Sequence, residues 1–385
     1  MSEHERAAER IEASRGDLVA LSHFVHEHPE LGYEEFLSSD AVASAAEAAG
    51  LSVERGIAGL PTAFRATAGS GSLHVTFCAE FDALPDVGHA CGHNIIAASS
   101  LGAAIGLAEV ADDLDLRVTL LGTPSEEGGG GKIDLLDAGY FDDAHAAMMI
   151  HPFPTERLDA TCLAVDHFDV IFSGKEAHAA AAPWEGRNAL DALTISQVAL
   201  ALLRQQLQPG DLIHGIVTEG GSAANIIPNR AVGRFMARSL DLSRLAELRL
   251  RVNACFEAGA LATGTTLEIE ELGHPFSHMV SDQGILAHYR DAAEALGRDF
   301  RLDDEGAAKP SISTDMANVS LVVPSIHPML MIPTHGAVNH QAAFTAACVT
   351  PAADQAVIDG ALALAATAIS VAKDDELRER LTSRS

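Results

Sequence analysis

Positive charge is scarce in this chain. Its 385 residues hold 25 Lys and Arg against 54 Asp and Glu, a formal net charge of -29. That imbalance argues against nucleic acid and against anionic membrane surfaces as partners, since both are held through cationic patches. An anionic substrate would need a local cationic group working against the global field. Cysteine is sparse, odd in number and scattered: Cys78, Cys91, Cys162, Cys255 and Cys348. No disulfide framework is read from it, and a reducing cytoplasm fits. Aromatic residues make up 5% of the chain. Only Trp184, Tyr33, Tyr140, Tyr289 and the phenylalanines offer aromatic walls for a pocket. The N-terminus, Met-Ser-Glu-His-Glu-Arg, lacks a signal-peptide apolar core. The Ala-rich run after Asn94 is too short and interrupted for a membrane span. No internal repeat and no long low-complexity tract is visible.

What is present is a hydrophobic content of 48%, over a length that suits two domains better than one. Residues 5–29 read as an amphipathic helix ending at Pro29, and 39–49 as another stopped by Gly50. Residues 73–79 are a strand by β-branched and aromatic content. Residues 95–110 are helical, 117–122 suit a buried parallel strand, 132–138 are helical before Gly139, and 144–150 form a third apolar run. This alternation predicts an α/β fold with a mixed, mostly parallel sheet. From 166 to 275 the order becomes β-α-β-β-α-β, the split, ferredoxin-like α+β arrangement. The expected organisation is therefore one domain from residues 1–165 and 276–385, with a second inserted at 166–275. An Ala-rich helix over 351–373 closes the chain.

Chemistry-bearing residues fall after the first three strands. Asp82, Cys91 and His93 follow the first, Glu126 and Glu127 the second, and His151 the third. In open α/β sheets, sites form beyond the carboxyl ends of the strands, so these residues should meet. Gly92 lets the loop turn so that Cys91 and His93 converge, and a helix start there would favour the thiolate. A buried structural cysteine beside a capping His-Asn is the plain alternative. Adjacent carboxylates cannot point the same way, so one of Glu126 and Glu127 can ligate metal while the other takes a proton from an activated water. An exposed acidic turn is the alternative. Against it stand Gly128 to Gly131, whose entropic cost suggests a close backbone approach to something.

The segments that carry this chemistry resemble the M20 metallopeptidases, in their amidohydrolase branch. The matching stretches are His26-Glu-His28-Pro-Glu30-Leu-Gly-Tyr-Glu-Glu35, Asp82-Ala-Leu-Pro, His89-Ala-Cys91-Gly-His93-Asn94, Glu126-Glu127 with the glycine run to Lys132, and Gly174-Lys-Glu-Ala-His178-Ala. Asn225-Ile-Ile-Pro228, Ser313-Thr-Asp315 and Asn339-His340-Gln-Ala-Ala-Phe344 follow in family order. Asn94, the glycine run and residues 183–192 look closest to the subgroup of p-aminobenzoyl-glutamate hydrolases and aminoacylase-1-like dipeptidases. The resemblance implies a zinc-peptidase-like catalytic domain with an inserted lid and dimerisation domain. It implies two divalent metal ions on Cys91, His93, Glu127, His151 and His340. Zinc suits that set, and manganese, cobalt or nickel can also occupy it. Glu126 is implied as general base and Asp82 as the carboxylate that orients a ligand imidazole. His178 is implied for the oxyanion, Arg238 for a substrate carboxylate and Asn225 as a further substrate contact. His340 is chosen over His335 because Phe344 follows it at the family spacing.

The expected activity is metal-dependent cleavage of an amide in an N-acyl amino acid or dipeptide-like small molecule with a free carboxylate, by a cytoplasmic homodimer joined through the lid. Two departures from the family qualify this. Glu80 stands where the wider family has a ligand histidine, and Asn94 where many branch members have Asp. The competing class is a non-hydrolytic, substrate-binding or regulatory relative. A Cys91-nucleophile amidase leaves the Glu pair and His151 without a task.

Overall fold

In the computed structural model, which describes residues 1–307 and 311–383, two short strands that the sequence pattern does not announce come first. They are β1 (Ser52–Arg55) and β2 (Phe64–Gly69), followed by β3 (Leu73–Ala79), which is buried at every position. β4 (Leu116–Gly122) and β5 (Ala146–Met148) lie parallel to β3 on its two sides. The chain then forms β6 (His151–Phe153) and the two-residue β7 (Thr161–Cys162). The inserted unit contains β8 (Ala164–Ser173), β9 (Leu212–Glu219), β10 (Arg230–Ser239) and β11 (Thr266–Glu271). Three short strands follow it, β12 (Ser311–Ile312), β13 (Ser325–Ile326) and β14 (Met329–Met331).

The larger unit comprises Met1–Thr161 and Met279–Ser385. Its sheet has the order β1-β2-β4-β3-β5-β13. Pairing is parallel from β4 to β13 and antiparallel at the β1-β2 edge. Strands covered on both faces read as continuous apolar runs, which is why β3 and β4 were legible. Helix His93–Ala108 is buried nearly all round and packs on helix Pro351–Lys373. The latter is long and apolar enough to cross a membrane, but its apolar window is 78% buried within the protein, as in a core helix.

One helix expectation needs correction. The single helix expected over 5–29 is two, Glu3–Ala13 and Arg15–Glu27. They break at Ser14, whose hydroxyl donates to the Arg10 carbonyl at 3.1 Å and so competes with the helical ladder. The third apolar run, 144–150, supplies the short strand Ala146–Met148 of the main sheet, and the strand after it, His151–Phe153, pairs in parallel with β14 instead.

The second unit, Cys162–His278, is an antiparallel sheet of order β11-β8-β10-β9. Helices Ala189–Leu203 and Leu242–Thr263 pack on it, which completes the ferredoxin-like arrangement. Phe168, Phe235 and Phe256 form its centre, with ring centroids 4.9 to 6.1 Å apart. Burying each contributes roughly 1.5–3 kcal/mol. The unit starts at Cys162 and ends at His278, rather than at 166 and 275, because Val165 and Phe276 bridge each other in it.

One buried carboxylate makes the larger unit sensitive to pH. Glu156 accepts the Met331 N–H at 3.2 Å and lies 3.5 Å from Arg298. Burial pushes its carboxyl up to about 7, against the pull of Arg298. Below the ordinary carboxyl range both folded and unfolded states hold the proton. Between there and 7 the unfolded state loses it first, so stability falls as pH rises. Glu156→Gln is expected to raise the thermal midpoint at pH 8 and to leave it within about 1 °C at pH 4. Calorimetry at both pH values checks this, and equal shifts would contradict it.

Candidate metal centre

Because β3, β4 and β5 run parallel, their carboxyl ends share one edge of the sheet. β3 leads to Glu80, Asp82 and then the Cys91–His93 loop. β4 leads to Glu126 and Glu127, and β5 to His151. The late histidine arrives from the C-terminal segment, where the His340 N–H donates to the Ala90 carbonyl at 3.0 Å. Donor atoms of Cys91, His93 and His151 lie within 4.8 Å of one another, as do those of Cys91, Glu127 and His340, and of His93, Glu126 and Glu127. His335 is exposed and belongs to no such group among the described residues. The floor of the cluster is dry, with His93 1%, Glu126 5%, Cys91 6% and His151 9% exposed. The His340 side chain is 63% exposed and marks the open side.

Asp82 ties two loops together. Its Oδ1 lies 3.0 Å from His93 Nδ1, and its Oδ2 accepts the Glu127 N–H at 3.0 Å. His93 Nδ1 also donates to the Asp82 carbonyl at 2.8 Å. That leaves His93 Nε2 buried with no hydrogen bond among the described residues. His151 is fixed the same way, with Nδ1 donating to the Pro152 carbonyl at 2.8 Å. A ring nitrogen held by one partner while the other faces a sulfur and carboxylates is how metal-ligating histidines are oriented. The mixed sulfur, nitrogen and oxygen donors suit a borderline divalent ion such as zinc. The residues present fit such ions.

The electrostatics point the same way. Burial, then the charges of Glu80 and Glu127, push the Glu126 carboxyl well above the usual range. Burial also raises Glu127, against the pull of His93. The thiolate expected at the helix start is not favoured. Burial, then the Glu127 carboxylate, push the Cys91 thiol well above its ordinary value. Burial alone would depress His93, but Asp82, with Glu80 and Glu127, raises it well above 6.5. Without cations this cluster retains protons, and bound cations would displace them.

The glycine run serves the chain itself. A Cβ at Gly129 would fall 2.2 Å from the Tyr33 ring, and one at Gly131 2.1 Å from the Pro124 carbonyl oxygen, while Gly128 faces open space. Tyr33 in turn donates to Asp134 at 2.6 Å. Ser125, at φ 55°, donates its N–H to Glu35 at 2.8 Å, and Thr62 donates to the other Glu35 oxygen at 2.9 Å. Glu35 thus sets the turn from which Glu126 projects. Sequence alone missed this role, and it missed Lys132, which is wholly buried and donates to both Glu80 and Asp315 at 2.6 Å. Glu35, Lys132 and Asp315 all lie within the family-like motifs, but a Lys after glycines carries no sign of burial. Asn94 is structural, donating to Ser22 at 2.8 Å and to the Cys348 carbonyl at 3.0 Å.

The remaining candidates lie in the second unit. His178 is exposed, and its Nδ1 accepts the N–H groups of Ala180 and Ala181, each at 3.2 Å. Asn225 is beside it, since Ile226 bridges His178 and the Asn225 carbonyl accepts the Ala179 N–H at 2.9 Å. Arg238 lies near the end of β10, where burial lowers its pKa. Burial, with the Arg238 charge, lowers neighbouring His167 to about 4.

Gly92 offers a direct test of the loop geometry. Its φ is 78°, and a Cβ there would fall 2.9 Å from Pro152. Gly92→Ala must therefore shift Cys91 and His93 relative to His151. The apparent zinc affinity is expected to fall about 10-fold or more, read by chelator competition. Wild-type affinity would contradict the geometry.

Residues 76–367 match the family model for peptidase family M20/M25/M40. The chain is 40% identical over 381 residues to the Xaa-Arg dipeptidase of Mus musculus, covering 95% of this chain and 88% of that protein. It is 32% identical over 279 residues to a p-aminobenzoyl-glutamate hydrolase component of Escherichia coli, covering 67% and 58%. Among solved structures, the Bacillus subtilis YXEP protein, described as a dinuclear metal-binding peptidase from the M20 family, superposes with a TM-score of 0.69 at 20% identity, covering 94% of this chain and 99% of its own. The aminobenzoyl-glutamate utilization protein of Klebsiella pneumoniae gives 0.74 at 19% identity, covering 94% and 97%. The chain belongs to the M20 peptidase family and is a metallo-amidohydrolase of that family.

Proposed function

We propose that the chain hydrolyses the amide bond of a dipeptide or N-acyl amino acid with a free carboxylate, using two divalent ions held by Cys91, His93, Glu127, His151 and His340. The observation that carries this is the overlap of the donor groups. Cys91, His93, Glu126 and Glu127 each belong to two of them, as expected where two cation sites adjoin. When bound, such ions acidify water and polarise the amide carbonyl. Zinc is the proposed metal.

Glu126 is the proposed general base. It lies beside the ligands, with Oε2 3.9 Å from His93 Nε2, and its surroundings favour holding a proton. It takes a proton from the attacking water and returns it to the departing amine nitrogen. Asp82 keeps His93 in the required tautomer and holds the Glu127 backbone. From the resemblance, Arg238 is proposed to bind the substrate carboxylate, His178 to stabilise the oxyanion and Asn225 to contact the substrate. The second unit is proposed as lid and dimerisation domain, and the cytoplasm as location. The 40% identity to an Xaa-Arg dipeptidase favours a dipeptide ending in a basic residue. The net charge of -29 would attract such a substrate rather than repel it.

Glu126→Gln is expected to lower kcat roughly 10²- to 10⁴-fold, with metal content unchanged. Near-wild-type turnover would remove Glu126 from the role. A screen of the metal-reconstituted enzyme is expected to give the highest kcat/KM for dipeptides ending in Arg or Lys. A preference for acyl-glutamates would overturn the basic assignment.

A further inference from the structure

Lys132, Glu80 and Asp315 form a buried charge cluster directly beneath the ligands. All three are 0% exposed. The Lys132 ammonium donates to Glu80 Oε1 and to Asp315 Oδ1, each at 2.6 Å, and its backbone N–H donates to Asp315 Oδ2 at 2.9 Å. Both Asp315 oxygens are thus occupied by Lys132. Glu80 is different, because its Oε2 has no hydrogen-bond partner among the described residues. Leaving a buried polar oxygen unpaired costs about 1–3 kcal/mol, and more for a charged group.

That oxygen lies 3.5 Å from His93 Nε2, which is itself buried and without a hydrogen bond. His93 Nδ1 is committed as a donor to the Asp82 carbonyl, so in the neutral ring Nε2 presents a lone pair toward Glu80. Once a divalent cation displaces the second proton of the ring, both atoms are acceptors on either side of it. Ligands of one tetrahedral zinc ion, at about 2.0–2.2 Å from it, stand roughly 3.4 Å apart. Glu126 Oε2 lies 3.9 Å from the same nitrogen. The other titratable neighbours of Glu80 are His151 and His327, and the His327 ring centroid is 5.4 Å from that of His151.

We infer that Glu80, clamped by Lys132, is a further acidic group of the metal centre: Lys132 fixes one of its oxygens and the other faces His93 Nε2, where it helps hold the inner divalent ion. The inference rests on the proposed two-metal reading. It makes Lys132 a positioning residue, and it gives the carboxylate at position 80 a task in place of the histidine seen in the wider family.

The test compares zinc and manganese affinities of the chelator-treated full chain, by competition with a metallochromic chelator, alongside the thermal midpoint of each apo-protein. Glu80→Gln keeps an oxygen for Lys132 and removes the charge that faces His93. Its affinity for one of the two ions is expected to fall about 10- to 100-fold. Asp315→Asn perturbs the same lysine from its other side and is expected to change affinity less than about 3-fold for a comparable loss of stability. Should Glu80→Gln not fold, Glu80→Asp keeps the charge for Lys132 while withdrawing the carboxylate from His93, and at least a 10-fold loss is again expected. Wild-type affinity in a folded Glu80 variant, or equal losses in Glu80→Gln and Asp315→Asn, would overturn the inference and leave Glu80 as a counter-ion of Lys132. Absence of metal binding by the wild type would instead overturn the two-metal reading.

Discussion

Five carboxylates, those of Glu80, Asp82, Glu126, Glu127 and Asp315, converge at one end of the parallel sheet with, among the described residues, a single ammonium, Lys132, between them. Removing a charge from water costs several kcal/mol even after relaxation, so this concentration is tolerable only if each charge meets a cation, a proton or a donor. Lys132 satisfies Asp315 and half of Glu80. His93 and the Glu127 N–H satisfy Asp82. Glu126, Glu127 and Cys91 are left to keep their protons, and each is accordingly raised by burial first. The excess of buried negative charge is what prepares the site for divalent cations, and the same excess gives Glu126 its affinity for a proton.

The fold is arranged to hold that excess in place. The parallel strands bring three loops to one edge, and each loop is fastened to another. Asp82 joins the His93 helix to the Glu127 loop, Glu35 holds Ser125, Tyr33 packs over Gly129, and the His340 N–H reaches Ala90. These contacts are made largely by backbone groups and by side chains with no chemical role of their own. Ligand geometry in such a site is only as good as its support.

Much of this was legible in the sequence, for physical reasons that can be named. β3 and β4 are doubly covered, so they appear as unbroken apolar runs, and the candidate ligands follow them at the carboxyl end. β1 and β2 were not legible, because the edge strand Ser52–Arg55 is short and largely exposed and only Phe64 and Ala66 are buried in its neighbour Phe64–Gly69. The break at Ser14 hides in a periodicity that continues across it. The glycine run was legible as a close approach, but sequence could not say that Tyr33 and the Pro124 carbonyl are what approach. Lys132 and Asp315 are 183 residues apart, and no local pattern announces a buried ion pair over that distance. In the second unit the βαββαβ order was clear from its alternation of elements, whereas the roles of His178, Asn225 and Arg238 came from resemblance.

The claim on which the rest turns is that two divalent ions bind at the carboxyl edge of β3, β4 and β5. Anomalous-scattering maps from crystals of the zinc-loaded protein, collected at the zinc edge, test it most directly. The account expects two peaks per chain, both bounded by Cys91, His93, Glu127, His151 and His340. A single peak, or peaks away from these residues, would contradict it.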